Sequence, residues 1–115
     1  SLFLIIDSGA TISALPKSDA NAFGVEVESG VSTVVAGIEG TPIQGWRHEL
    51  MIGIGNNTIP IPFLFLDSPD APRILGREGI FDRFTVVFEE IKRRTGLLSD
   101  GMREARNVST ILDTI

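Results

Sequence analysis

The sequence predicts an all-β domain, closed or folded over itself rather than doubly wound. Apolar runs are short, Gly, Pro, Asn and Asp punctuate the chain at close spacing, and at most two stretches carry a helical pattern. Residues 2–6 form a continuous apolar run stopped by Asp7-Ser8-Gly9, which reads as a buried strand feeding a tight turn. Extended structure resumes over 12–15. Residues 16–24 read as one short helical turn, opened by Pro16 and stopped by Gly24. Residues 31–36 and 41–54 read as a hairpin with a glycine-flanked tip, Gly37-Ile38-Glu39-Gly40. A second hairpin turns at Gly55-Asn56-Asn57 into residues 58–66, where Pro60 and Pro62, two apart, lack donors on one side and suggest an edge or an end of the sheet. After a Pro/Asp loop over 67–73, Ile74-Leu75-Gly76 reads as a very short strand. Residues 77–84 read as a short helix with Ile80, Phe81 and Phe84 on one face, and 85–88 as the last clear strand. The division predicted is a domain over 1–90 and an appended tail over 91–115, partly helical near 102–107.

Composition narrows the function. The chain has 115 residues and no cysteine, which excludes a disulfide framework, a thiolate zinc site and a cysteine nucleophile, and its single histidine is too little for a His-rich metal site. No metal is expected. Fifteen acidic against ten basic side chains give a net charge of −5, which argues against a nucleic-acid partner, and only Lys92, Arg93 and Arg94 form a basic cluster. No apolar run approaches the about 20 residues a membrane-spanning helix needs, so a soluble chain with no membrane partner is expected. Compartment is not readable from cysteine usage, with the cytoplasm slightly favoured. The chain opens on Ser1 and enters an apolar run at once, which suggests a fragment whose earlier residues were removed or never made.

Asp7 stands out. An ionisable group at the end of an apolar strand pays desolvation unless its neighbours satisfy it. Ser8 offers a hydroxyl, and Gly9 a backbone N–H that approaches closely for want of a Cβ. Alone, such a triplet reads as an Asx-turn at a strand end. Other chemistries find less. His48 with Ser13 or Ser18 lacks the Gly-x-Ser-x-Gly elbow of a serine hydrolase; Gly37-x-x-Gly40 and Gly53-x-Gly55 lack the helix and lysine of a phosphate loop. Asn56-Asn57-Thr58 and Asn107-Val108-Ser109 match the glycosylation sequon without a visible secretory signal. Trp46 reads as packing.

Three motifs in order change the weight given to Asp7. An apolar strand followed by Asp7-Ser8-Gly9-Ala10-Thr11, the glycine-bounded hairpin at Gly37, Ile38, Glu39 and Gly40, and Ile74-Leu75-Gly76-Arg77 together resemble the retropepsin-like aspartic proteases over residues 1–90. The resemblance implies a closed β-barrel or sandwich with one short helix near the C-terminus and a β-hairpin flap. It implies that Asp7 is the catalytic aspartate, that Ser8 braces the two active-site loops across a dimer, that Gly9 is the close-approach position, and that residues 37–40 are the flap tip. Ile74, Leu75 and Gly76 would support the catalytic loop. The chemistry needs two carboxylates sharing a proton. No second Asp-Thr/Ser-Gly exists here, so the other aspartate would be Asp7 of a second copy in a symmetric homodimer.

The implied activity is proteolysis by an aspartic-type endopeptidase, a hydrolase of peptide bonds between preferably apolar residues, acting on a peptide or protein without cofactor. Ile12, Val35, Ile38 and Ile80 are candidates for its apolar pockets. Ala10 cannot donate to the carboxylate as a hydroxyl residue would, which predicts a mildly acidic optimum. Thr11 stands where many retroviral members carry an aspartate paired to the arginine, so Arg77 must find Glu78, Asp82 or a group of the other subunit. The rival reading is a catalytically silent protease-fold dimerisation or peptide-binding module; another is a segment of a larger polyprotein that it helps to process.

Overall fold

A computed structural model describes residues 3–37 and 40–115. The expected flap-tip residues Ile38 and Glu39 lie outside the described residues, as does Leu2 of the first run. The chain is all-β in its main architecture and divides into two compact units, Ser1–Gly79 and Ile80–Ile115. The expected boundary after residue 90 falls inside the second unit.

In the first unit, one sheet of six strands has the order β1-β6-β2-β5-β4-β3: β1 Ile5–Ile6, β2 Ser13–Pro16, β3 Val31–Ala36, β4 Pro42–Ile54, β5 Asn57–Leu66 and β6 Ile74–Leu75. β3, β4 and β5 are joined by consecutive antiparallel hairpins, as short turn-punctuated strands favour. β2 then lies parallel to the second half of β5, from Ser13 opposite Phe63 to Pro16 opposite Leu66. This register explains the two prolines. Pro60 and Pro62 pair with Met51 and Glu49 of β4 but precede the stretch that β2 covers, so the missing N–H groups fall where β5 has one strand neighbour.

Alternation along β5 sends Ile61, Phe63 and Phe65 to one face, all fully buried, with Leu50, His48 and Trp46 opposite them on β4 and Ser13 and Leu15 beside them on β2. A 3₁₀ segment, Lys17–Phe23, caps this core and brings the Phe23 ring edge-on to Phe65 at 6.4 Å. It ends at Gly24, whose φ of 65° is the left-handed conformation expected of a C-terminal glycine. Trp46 is a packing residue, with Lys17 Nζ 4.9 Å from its ring centroid.

The first strand departs from expectation. It is confined to Ile5–Ile6, and Phe3 and Ile5 are 90% and 70% exposed rather than buried. β1 lies at the end of the sheet, with β6 as its only strand neighbour among the described residues, and alternation turns Phe3 and Ile5 outward.

The second unit is a hairpin, β7 Phe84–Glu89 with β8 Arg94–Ser99, followed by α1 Arg103–Leu112, which packs Ala105 inward. The expected helix over 77–84 is absent. Those residues form turns instead, with Arg83 and Phe84 N–H both donating to the Ile80 carbonyl. Gly79, at φ 85°, breaks any helical continuation from Arg77. The helix near the C-terminus is α1, within the stretch expected to be a partly helical tail.

Candidate functional site

The Asp7 turn is built from both of its neighbours in space. β1 runs parallel to β6, with Ile5 opposite Ile74 and Ile6 opposite Leu75, and the Asp7 N–H donates to the Leu75 carbonyl at 2.9 Å. Beyond Asp7 the chain reverses, as the Ala10 N–H returns to the Asp7 carbonyl at 3.2 Å. Gly9 N–H donates to Asp7 Oδ1 at 2.9 Å, so the carboxylate is oriented by its own loop. A Cβ on Gly9 would stand 3.2 Å from that oxygen, tighter than ordinary contact. Asp7 is half-buried, while Ser8, Gly9 and Thr11 are exposed.

The loop then zips onto the segment after β6. Arg77 N–H donates to the Ala10 carbonyl and Glu78 N–H to the Thr11 carbonyl, each at 2.9 Å, while Gly76 N–H donates to the buried Ser13 Oγ at 2.9 Å. Gly76 is required by closeness. A Cβ there would lie 2.5 Å from the Ile12 carbonyl carbon. The two stretches singled out in the sequence, Asp7 to Thr11 and Ile74 to Arg77, thus form one hydrogen-bonded assembly. Ser13, whose hydroxyl ties it together, carried no signal beyond being a small polar residue in an apolar run.

Other site residues are less closely tied to Asp7. Gly37 and Gly40 sit at the β3–β4 turn, where Gly37 N–H donates to the Thr41 carbonyl at 2.7 Å, and Gly40 has φ 76°. A Cβ on Gly37 would stand 2.6 Å from the Ile43 side chain. Arg77 forms no ion pair among the described residues: Glu78, one of its expected partners, pairs with Arg47 at 3.0 Å. Of the pocket candidates, Ile12 and Val35 are half-buried, but Ile80 is fully buried and cannot line an open pocket. His48 Nε2 lies 2.8 Å from the Val27 carbonyl and its ring packs edge-on to Phe65, while the buried Ser13 Oγ accepts from Gly76 N–H, and among the described residues the two side chains share no hydrogen bond.

A two-point ion pair lies elsewhere. Arg73 grips Asp19 through two hydrogen bonds, Nε to Oδ2 at 2.7 Å and Nη2 to Oδ1 at 3.0 Å, and holds its carboxyl below the ordinary range against the opposing effect of burial. A concavity of about 570 Å³ opens beside it, lined by Lys17, Asn21, Glu28 and Asp67, among others. Lys17 and Glu28 of its wall form an ion pair at 2.8 Å. Among the described residues no cluster of His, Asp or Glu could hold a metal ion, and no helix is long and apolar enough to cross a membrane. No family model, no curated protein and no solved structure matches the chain.

Proposed function

We propose that the chain is a retropepsin-like aspartic endopeptidase, active as a homodimer with one Asp7 from each subunit. The observation that carries this reading is the hydrogen-bonded assembly of Asp7-Ser8-Gly9-Ala10-Thr11 with Ile74-Leu75-Gly76-Arg77. A carboxylate is held at the mouth of two parallel strands by a backbone N–H of its own loop. That bond is the one an Asx-turn makes; what supports a catalytic role over a plain surface turn is that the whole loop is also hydrogen-bonded to the Leu75–Glu78 segment, which fixes where the carboxylate stands. The β3–β4 hairpin, bounded by Gly37 and Gly40, supports the reading as the flap.

In this mechanism the two Asp7 carboxylates share one proton, because close like charges cannot both ionise. The ionised carboxylate takes a proton from water as the water oxygen attacks the scissile carbonyl carbon. The protonated one gives its proton to the carbonyl oxygen. On collapse of the tetrahedral species the C–N bond breaks as the nitrogen takes the proton that the first carboxylate received from water, and a hydroxyl of the intermediate returns its proton to the second carboxylate, which restores the dyad with one shared proton. Substrate lies extended beneath the flap, pairing through its backbone and seating alternate side chains. Ser8, exposed beside Asp7, is the residue that braces the loops of the two copies. No cofactor enters any step.

The test is cleavage of a mixed peptide library at mildly acidic pH by the protein and by Asp7→Asn prepared identically. Cutting by the wild type alone supports the reading. If neither cuts while both are dimeric, the peptidase reading fails and a silent dimerisation or peptide-binding module takes its place.

A further inference from the structure

A cavity of about 310 Å³ lies between the Asp7 loop and the β3–β4 hairpin, with Thr11, Ile12, Val31, Leu64, Arg47 and Glu78 in its wall. Its construction follows from register. Val31, Arg47 and Leu64 are directly opposite one another across β3, β4 and β5, so their side chains share one face of the sheet. Glu78 is brought to the same place by its N–H bond to the Thr11 carbonyl. The volume equals that of about ten waters, enough for a medium-sized side chain. We infer that this cavity is a distal substrate subsite of the proposed peptidase and that the Arg47–Glu78 pair selects a carboxamide side chain, glutamine above all.

The placement rests on the peptidase reading and on chain geometry. Thr11 is four residues after Asp7, so at 3.8 Å per step their Cα atoms are at most about 15 Å apart. An extended peptide advances about 3.3 Å per residue. A substrate side chain that fills the cavity is therefore within about five residues of the scissile bond. The cavity also lies between the two elements, loop and flap hairpin, that the substrate would run between.

Selection rests on the ion pair. Arg47 Nη2 donates to Glu78 Oε2 at 3.0 Å, and the two side chains are 46% and 44% exposed. Among the described residues, Nε and Nη1 of Arg47 and Oε1 of Glu78 have no other partner. The intact pair thus presents donors beside an acceptor. A carboxylate accepting from Arg47 would set its second oxygen against the Glu78 carboxylate, and an ammonium or guanidinium donating to Glu78 would set its charge against the Arg47 guanidinium. A primary carboxamide does neither: its oxygen accepts from Arg47 while its NH2 donates to Glu78. The apolar walls at Ile12, Val31 and Leu64 take the methylene stem, which favours glutamine over asparagine.

The experiment profiles cleavage of a peptide library randomised over five positions on each side of the cut, using the wild type, Arg47→Ala, Glu78→Ala and the exchanged pair Arg47→Glu/Glu78→Arg. Circular dichroism and Trp46 fluorescence verify that each variant is folded. The wild type should prefer glutamine over glutamate and lysine at one distal position by about fivefold, the factor one net hydrogen bond supplies. Arg47→Ala should shift that position towards lysine and arginine, Glu78→Ala should shift it towards acids, and the exchanged pair should restore glutamine. Asp7-dependent cutting with no distal preference, or with a preference that none of the variants moves, overturns the subsite and leaves the peptidase reading standing. Absence of Asp7-dependent cutting removes both.

Discussion

Replacing Gly76 by alanine would set a Cβ 2.5 Å from the Ile12 carbonyl carbon, 2.6 Å from its oxygen and 2.9 Å from its nitrogen. All three are backbone atoms of the segment entering β2, so no side-chain rotation relieves the overlap. Either β6 or that segment must move, and the bond from Gly76 N–H to Ser13 Oγ at 2.9 Å is strained with it. Overpacking costs about 1–3 kcal/mol. Weakening a buried hydrogen bond adds up to about 1 kcal/mol, so Gly76→Ala should lose about 1–4 kcal/mol. Trp46, the only tryptophan, stands on β4 in the same compact unit, and its fluorescence during urea unfolding reports that unit. With a denaturant slope of about 2 kcal/mol per molar, the midpoint should fall by about 0.5–2 M. Gly53→Ala is the control. Gly53 is exposed on β4 with nothing within 4 Å of an added Cβ, so the stability of Gly53→Ala should stay within about 0.5 kcal/mol of wild type. A Gly76→Ala midpoint no lower than that of Gly53→Ala would refute the reasoning that closeness between β6 and the loop requires glycine.

Ser13→Ala should destabilise the same unit by about 1–3 kcal/mol, because it strips a buried N–H of its acceptor; a midpoint unchanged in urea would show that Gly76 finds another partner. The Asp19–Arg73 pair predicts an acid effect whose sign follows from the lowered carboxyl pKa of Asp19. Its contribution is present above the ordinary carboxylate range and disappears as pH falls through the depressed value. Wild type should therefore be more stable than Asp19→Asn near neutrality and converge with it in strong acid, measured as urea midpoints across pH; a gap that holds constant to about pH 2 would contradict the assignment.

Much of the first unit was legible because its signals are local and period-two. The alternation in residues 58–66 and the glycine-bounded tip of the 31–54 hairpin specify strands whatever their partners. The assembly of Asp7 with Gly76 was legible only as a pairing of motifs, since the Ser13 hydroxyl and the Ile12 backbone that enforce it lie between them without a pattern of their own. The helix read over 77–84 failed for a physical reason: Ile80, Phe81 and Phe84 have helical spacing, but Gly79 adopts a left-handed φ of 85° against Ile61 and Pro62. β8 is not legible in the sequence because its turn carries no Gly or Asn; Arg93 takes the left-handed conformation there, at φ 50°. α1 was only faintly visible. Its N-cap is Met102, which makes no side-chain capping bond, and its second half holds the β-branched run Val108-Ser109-Thr110-Ile111, broken only by serine.

The central claim is that two copies each supply one Asp7 to a single site, and subunit mixing tests it most directly. Wild-type protein is exchanged with an equal amount of Asp7→Asn, and cleavage is measured per wild-type chain against undiluted wild type at the same total concentration. If the dyad is shared, random pairing leaves about a quarter of the dimers with two Asp7 carboxylates, so activity per wild-type chain falls to about half. Activity per wild-type chain that stays constant, with exchange verified by a mass-tagged subunit, would mean that each chain acts alone and would contradict the account.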